Sequence, residues 1–296
     1  MRQASKRARR SRRLMIFIFV LLAALILWGL AALAERLFHY GADAAVSAKD
    51  PDPVEEVQDP QPSADPEQEP AASDPTYDPD CFTRDGEFLR YESDTMTSQL
   101  GIDVSAHQQE IDWQAVAASG VEFAILRVGY RGYTEGSIQE DTYFQQNLDG
   151  AIDAGLEVGV YFFSQAVDEQ EAREEAQFVL DHISGYQLAY PVFFDWEKIG
   201  ADARSDEMDL ATLTSVTDAF CSAITQAGYS AGLYFNQQLG YEELHLPSLD
   251  GYTFWLAEYN ETPTFTYRFD LWQYACDGRV AGIDTDVDLN LAFIRK

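Results

Sequence analysis

The sequence predicts an α/β fold, a β/α barrel whose closing third is mostly β. Strand-like and helical stretches alternate from residue 100 onward, which implies a parallel sheet. Glycine follows the helical stretches at the joints, and carboxylates gather where strands end. Roughly 197 residues from Leu100 to Lys296 suit one such barrel.

Short runs of apolar, β-branched and aromatic residues occur at 100–104, 123–128, 158–163, 192–194, 231–235, 254–257 and 269–273. Helical patterning fills 113–119, 143–154, 169–183 and 210–227. Gly120, Gly155 and Gly228 follow the first, second and fourth of these, as helix C-caps do. Beyond residue 231 the strands come too close together for helices between them. No second folded domain and no internal repeat is visible.

The most informative segment is Tyr190-Pro191-Val192-Phe193-Phe194-Asp195-Trp196-Glu197. It reads as a buried strand that ends in two acids. Side chains alternate along a strand, so Asp195 and Glu197 point the same way, with Cα atoms roughly 6.7 Å apart. Such a pair is costly through repulsion and desolvation, and it splits protonation states, one acid neutral and one ionised. Cleavage of a glycosidic bond needs that split. The competing reading is an edge pair solvated by a loop. Asp103 ends the first strand, and Asp288 lies near the last one. Alone, Asp103 reads as a turn cap and Asp288 as one of several loop acids; their shared placement with Asp195 and Glu197 points to a site.

The chain outside the barrel divides in three. Residues 1–13 carry seven basic side chains and no acid. Residues 14–34 are 21 uncharged, largely apolar residues, a helix about 31 Å long that matches the hydrocarbon core of a bilayer. The basic flank predicts a cytoplasmic N-terminus and an exported remainder, with 14–34 as a single-pass cell-membrane anchor. A signal peptide cleaved near Ala34 is the alternative, with secretion of the rest. Residues 35–80 read as a disordered acidic linker: 41–80 hold eight of the eleven prolines, twelve acids and one lysine. Residues 81–99 form a lead-in without an assigned structure. From Leu14 onward 13 basic residues face 50 acids, a net of −37, which argues against nucleic acid or anionic lipid as a partner of the exported part. Cys81, Cys221 and Cys276 have no metal-ligand spacing and allow at most one bridge. Buried structural thiols are the favoured reading of Cys221 and Cys276, with a pair involving Cys81 left open. No metal or other cofactor is called for, and the oligomeric state is open.

From Leu100 to the C-terminus the chain resembles the family 25 glycoside hydrolases, lysozymes that cut peptidoglycan. The resemblance rests on Gly101-Ile102-Asp103-Val104-Ser105-Ala106-His107-Gln108, Ile111-Asp112-Trp113, and 123–130 with its Arg127-Val128-Gly129-Tyr130. It continues through 154–161, Asp195-Trp196-Glu197, Trp255-Leu256-Ala257 with Tyr259, Leu271-Trp272-Gln273-Tyr274, and Val287-Asp288-Leu289-Asn290. It implies a flattened β/α barrel whose last strands lack intervening helices. The activity implied is β-1,4 cleavage between N-acetylmuramic acid and N-acetylglucosamine in peptidoglycan glycan strands. It places four key acids on Asp103, Asp195, Glu197 and Asp288. This chain departs from the family's habits at Phe162, Gln109 and Phe235, none of which removes an acid.

On this reading Glu197 is the general acid, kept protonated by neighbouring carboxylates. Asp195 stands too close to Glu197 in sequence for a nucleophile across the sugar, and the Asp-x-Glu pattern resembles glycosidases in which the 2-acetamido oxygen attacks. Asp103 and Asp288 would hold the protonation state of Asp195 or position water, and an inverting route through one of them stays open. Tyr130, Tyr161, Tyr234, Trp255, Tyr259 and Trp272 lie at or near strand ends, as sugar-stacking faces or as barrel core. The resemblance favours Tyr161 and Trp255 for the first role. Rival readings are an N-acetylglucosaminidase of different linkage and a catalytically silent wall-binding protein.

Overall fold

The computed structural model describes residues 77–200 and 203–296. The basic stretch 1–13, the apolar stretch 14–34 and all of the 35–80 linker before Tyr77 lie outside the described residues. Among the described residues no helix is long and apolar enough to cross a membrane.

The elements follow in chain order as β1 (Phe82–Asp85), β2 (Phe88–Tyr91), β3 (Met96–Val104), α1 (Trp113–Ala118), β4 (Phe123–Arg131), β5 (Ile138–Glu140) and α2 (Phe144–Asp153). They continue as β6 (Glu157–Ser164), α3 (Glu169–His182), β7 (Val192–Trp196), α4 (Leu210–Gln226), β8 (Ala231–Asn236), β9 (Thr253–Ala257), β10 (Leu271–Gly278) and β11 (Val287–Arg295). All four expected helices form within two residues of their expected limits. Three of them start on an aspartate whose carboxylate accepts a first-turn N–H: Asp112 from Ala115, Asp168 from Glu171 and Asp209 from Thr212.

Eight strands close on themselves in the order β3, β4, β6, β7, β8, β9, β10, β11 and back to β3. From β3 to β10 the neighbours are parallel, whereas β11 runs antiparallel to both β10 and β3. The sheet is thus a mixed, barrel-like one with helices outside its first part. Where β4 outruns β3, the short strand β5 takes the vacant edge. The all-buried pattern of β4 follows, since both its faces are covered.

Two differences from the sequence reading concern the same region. The first barrel strand starts at Met96 rather than Leu100, and the lead-in forms the antiparallel hairpin β1–β2. The packed part begins at Tyr77, inside the stretch whose composition reads as linker. Tyr77 donates to the Phe269 carbonyl at 2.7 Å and stacks on Phe293 with ring centroids 3.7 Å apart. Phe82 and Tyr91 pack against the same aromatic group, and Phe82 reaches Trp272. Among the described residues no helix packs outside β10 and β11, and this hairpin covers their outer apolar face. No disulfide links Cys81, Cys221 or Cys276. Cys221 is buried behind β8, and burial pushes its thiol well above its ordinary range, whereas Cys276 is exposed, which corrects its reading as a buried thiol.

Inside the barrel, the end where the parallel strands begin is filled with rings and glycines. Phe123, Ile125, Phe193, Tyr190, Trp255 and Leu271 form a cluster of their own. Gly101 and Gly232 make room for it, since a Cβ on either would run into the ring of Phe123 or Phe193. Two residues further along the same strands, the inward positions become Asp103, Arg127 and Asp195.

Candidate active site

Strand periodicity delivers the four acids to one place. Asp103 leaves the inward face of β3, and its direct register partner across the antiparallel pairing is Asp288 of β11. Asp195 is the inward residue near the end of β7, and Glu197 follows two positions later in the same phase. The carboxyls of Asp103 and Asp195 are buried, whereas Glu197 and Asp288 are half-buried and line the opening.

Each acid differs in its partners. Asp103 Oδ2 accepts from Asn290 Nδ2 at 2.7 Å and Gln273 Nε2 at 2.8 Å, and the carboxyl also shares a hydrogen bond with Asp288. Burial raises its proton affinity, and those three hydrogen bonds pull it back down. Asp288 lies well above the usual carboxylate range, through burial first and then the charge and hydrogen bond of Asp103. Asp195 is also held well above it, by burial and by the charges of Glu197 and Asp103, with Arg127 opposing. Asp195 Oδ1 is buried without a hydrogen-bond partner. Glu197 is pushed up to about 7, mainly by burial and then by the charge on Asp103. Burial and mutual charge thus raise the proton affinity of all four carboxyls, and Glu197 is pushed up to about 7.

The aromatic residues differ in exposure and direction. Tyr234 and Tyr259 are half-buried beside the acids, and both donate to Gln273 Oε1, at 2.9 and 2.7 Å. Tyr130 and Tyr161 are 8% and 9% exposed. The Arg127 guanidinium lies over the ring of Tyr130, 5.5 Å from its centroid. Trp255 faces inward but lies within the apolar cluster, flanked by Tyr161, Phe193 and Tyr234, with no open face to offer a sugar. Trp272 is a correction. Gln273 points into the barrel, so alternation turns Trp272 outward, where it is fully buried against Phe82 and Tyr274 and donates to the Glu258 carbonyl at 2.7 Å.

Several residues of the site escape the sequence reading. Arg127 pairs with the buried Asp141 at 2.9 Å, and Asp141 in turn accepts from the backbone of Ala106 and Tyr143. A lone arginine inside the apolar run 123–128 is the available signal, because a buried charge demands a partner. Gln165 is fully buried and donates to the backbone carbonyl of Glu197 at 3.0 Å, while accepting from Ser205. Beside it Arg204 forms a two-pronged pair with Glu171 at 2.6 and 2.7 Å. These contacts fasten the segment after β7 to the start of α3 and hold the backbone that carries Glu197. Nothing in the local sequence around Gln165 announces that role.

A pair of carboxyls two residues apart on a strand end with two more opposite suits acid-catalysed bond cleavage. Known proteins point the same way. The chain is 28% identical over 191 residues to the autolytic lysozyme of Clostridium acetobutylicum, covering 64% of this chain and 54% of that protein. It is 25% identical over 211 residues to lysozyme M1 of Streptomyces globisporus, covering 64% and 66%. The solved structure of the modular autolysin LytC from Streptococcus pneumoniae superposes with a TM-score of 0.56 at 26% identity, covering 67% of this chain and 47% of that one. The chain thus spans about half the length of the autolytic lysozyme and of LytC. The profile of glycosyl hydrolases family 25 matches residues 102–283, which takes in Asp103, Asp195 and Glu197 and stops short of Asp288. A match over more than half of its length makes this chain a member of glycosyl hydrolases family 25.

Proposed function

We propose that the protein hydrolyses the β-1,4 bond between N-acetylmuramic acid and N-acetylglucosamine in peptidoglycan, with Glu197 as the general acid. The observation that carries this reading is the convergence of four carboxyls, Asp195 and Glu197 at the end of β7 with Asp103 and Asp288 as register partners. Glu197 is half-buried, and burial with the charge on Asp103 pushes its carboxyl up to about 7, so it can hold a proton for a leaving oxygen. The proton passes from Glu197 to the glycosidic oxygen as the bond to the anomeric carbon breaks. The 2-acetamido oxygen of the same sugar closes on that carbon and gives an oxazolinium. Asp195 Oδ1, which lacks a hydrogen-bond partner in the free protein, takes the acetamide N–H and orients that group for attack. Water then attacks the anomeric carbon, gives its proton to the Glu197 carboxylate and reopens the acetamide. The names of the lysozyme relatives support muramic acid as the sugar whose anomeric carbon is released, the new reducing end of the product.

The same proposal includes the residues outside the described structure. Residues 14–34 anchor the chain in the cell membrane, and the acidic segment that follows carries the catalytic domain to the wall outside. The basic 1–13 stretch on the cytoplasmic side and the apolar length of 14–34 support this arrangement.

The test is mass spectrometry of peptidoglycan digested by the purified full chain beside its Glu197→Gln variant. Fragments with muramic acid at the reducing end are expected, reduced about 10²–10⁴-fold by the substitution. Reducing-end glucosamine would reassign the linkage. A folded wild type that releases no fragments from several wall types would make the protein a wall binder.

A further inference from the structure

The amide groups around Asp103 are fixed in orientation, and that orientation decides where the cluster keeps its protons. Asn290 Nδ2 donates to Asp103 Oδ2 at 2.7 Å, and Asn290 Oδ1 accepts from Trp255 Nε1 at 2.8 Å. Asn290 and Trp255 are 0% and 1% exposed, so water cannot substitute for either contact. An indole N–H only donates. Reversing the Asn290 amide would set its NH₂ against the indole N–H, two donors face to face in the barrel interior. The amide therefore has one orientation, with its donor aimed at Asp103. On the other side, Gln273 receives Tyr234 and Tyr259 on Oε1 and aims Nε2 at the same Asp103 oxygen, at 2.8 Å.

We propose that Trp255 is a positioning residue that acts through Asn290 to fix Asp103 as the ionised member of the acid cluster, leaving the shared proton on Asp288. Both neutral donors go to Asp103 and neither goes to Asp288, although the two acids are register partners. Of two acids that share one proton, the better-solvated carboxylate gives it up. The groups facing Asp103 are Asp288 from β11, Asp195 and Glu197 from β7, Arg127 from β4 with its partner Asp141, and the phenols of Tyr161, Tyr234 and Tyr259. Arg127 is the cation among them, and it pairs with Asp141 at 2.9 Å. A fixed negative charge at Asp103 in turn holds the proton of Glu197, which is where this inference rests on the proposed glycosidase chemistry. Trp255 thus serves the reaction without presenting a face to substrate.

The test is a ¹³C titration of the full chain labelled at aspartate Cγ, with the signals of Asp103 and Asp288 assigned from Asp103→Asn and Asp288→Asn. Asp103 is expected to ionise before Asp288. In Trp255→Phe the Asp103 midpoint should rise by about one pH unit, a tenfold change in its proton affinity. Asn290→Leu, which removes the amide at nearly constant volume, should raise it too and covers the case of a Trp255 variant that does not fold. In either variant the alkaline limb of kcat/KM on peptidoglycan should move to lower pH, which a merely structural defect would not produce. An unchanged Asp103 midpoint in a folded variant, or Asp288 ionising first in the wild type, overturns the proposal. The titration needs no substrate. A wild type that titrates as expected but cuts no glycan would therefore refute the glycosidase reading while leaving this assignment of charge intact.

Discussion

The two ends of the barrel interior are built from the same strands and differ in one step of strand period. At one end Gly101, Phe123, Phe193 and Gly232 interlock as ring against glycine, with no polar side chain from these positions. At the other, reached by moving two residues along β3 and β7 and four along β4, stand Asp103, Asp195 and Arg127. The closed end gains from exclusion of water and tight packing. The open end holds four raised carboxyls that gain nothing from burial and are retained at a cost. Packing at the first end makes the second rigid enough to hold that charge. Between them lies Trp255, packed into the apolar cluster by its rings and joined to Asn290 by its N–H.

The largest effect expected from breaking this contrast lies at the closed end. A Cβ on Gly232 would sit 2.5 Å from the Phe193 ring and 2.7 Å from the backbone carbonyl of Thr253. A ring can shift, but a carbonyl within the β8–β9 pairing cannot. Gly232→Ala should therefore cost about 3 kcal/mol, the upper end of the usual range for overpacking. Urea unfolding measures it. Activity per folded molecule should stay within a few-fold of wild type, and a large loss of kcat in a stable variant would show that the two ends are not separable.

The open end makes the opposite kind of prediction, one of pH. Glu197 titrates at about 7 in the folded protein against an ordinary 4.5, so the folded state binds more protons between those values. Stability from this group is fully present below about 4.5 and is lost as pH rises through about 7. The shift corresponds to roughly 3 kcal/mol, and partial exposure of Glu197 reduces the expectation to about 2. Asp195 and Asp288 act in the same direction. Unfolding free energies at pH 5 and pH 7.5 should differ accordingly, and Glu197→Gln should flatten the slope. Equal stabilities at the two pH values would mean that the cluster is solvated in the folded state.

Much of this contrast is legible in sequence because it depends on local period. Asp195 and Glu197 share a face by alternation alone, and Asp103 closes an apolar run, so both readings need no tertiary knowledge. Trp272 shows where this stops. The run Leu271-Trp272-Gln273-Tyr274 has bulky residues in both phases, and only the contact of Gln273 with Asp103 says which phase points inward. The cover that buries Trp272 comes from Phe82, some 190 residues away in sequence. Asp85-Gly86 carries a hairpin signal for that cover, and Gly86 adopts a φ of 63° in the turn, but nothing local says what the hairpin packs against. Gln165 is the least legible, since its partners Glu197 and Ser205 are set by loops.

The smallest effect expected is at the phenols. Tyr234 and Tyr259 both donate to Gln273 Oε1, and a carbonyl oxygen has two lone pairs to receive them. Tyr259→Phe leaves Tyr234 in place, so Gln273 keeps its orientation and its hold on Asp103. The loss should be that of one neutral hydrogen bond, about 1 kcal/mol or less in stability, with kcat on peptidoglycan lowered by no more than about fivefold. Removing both phenols frees the Gln273 amide to turn, and the Tyr234→Phe, Tyr259→Phe pair should then cost more than the two single changes together. Strict additivity in that double-mutant cycle would mean that Gln273 is held by Asp103 alone. The open end would then rest on Trp255 and Asn290 for its only fixed donor.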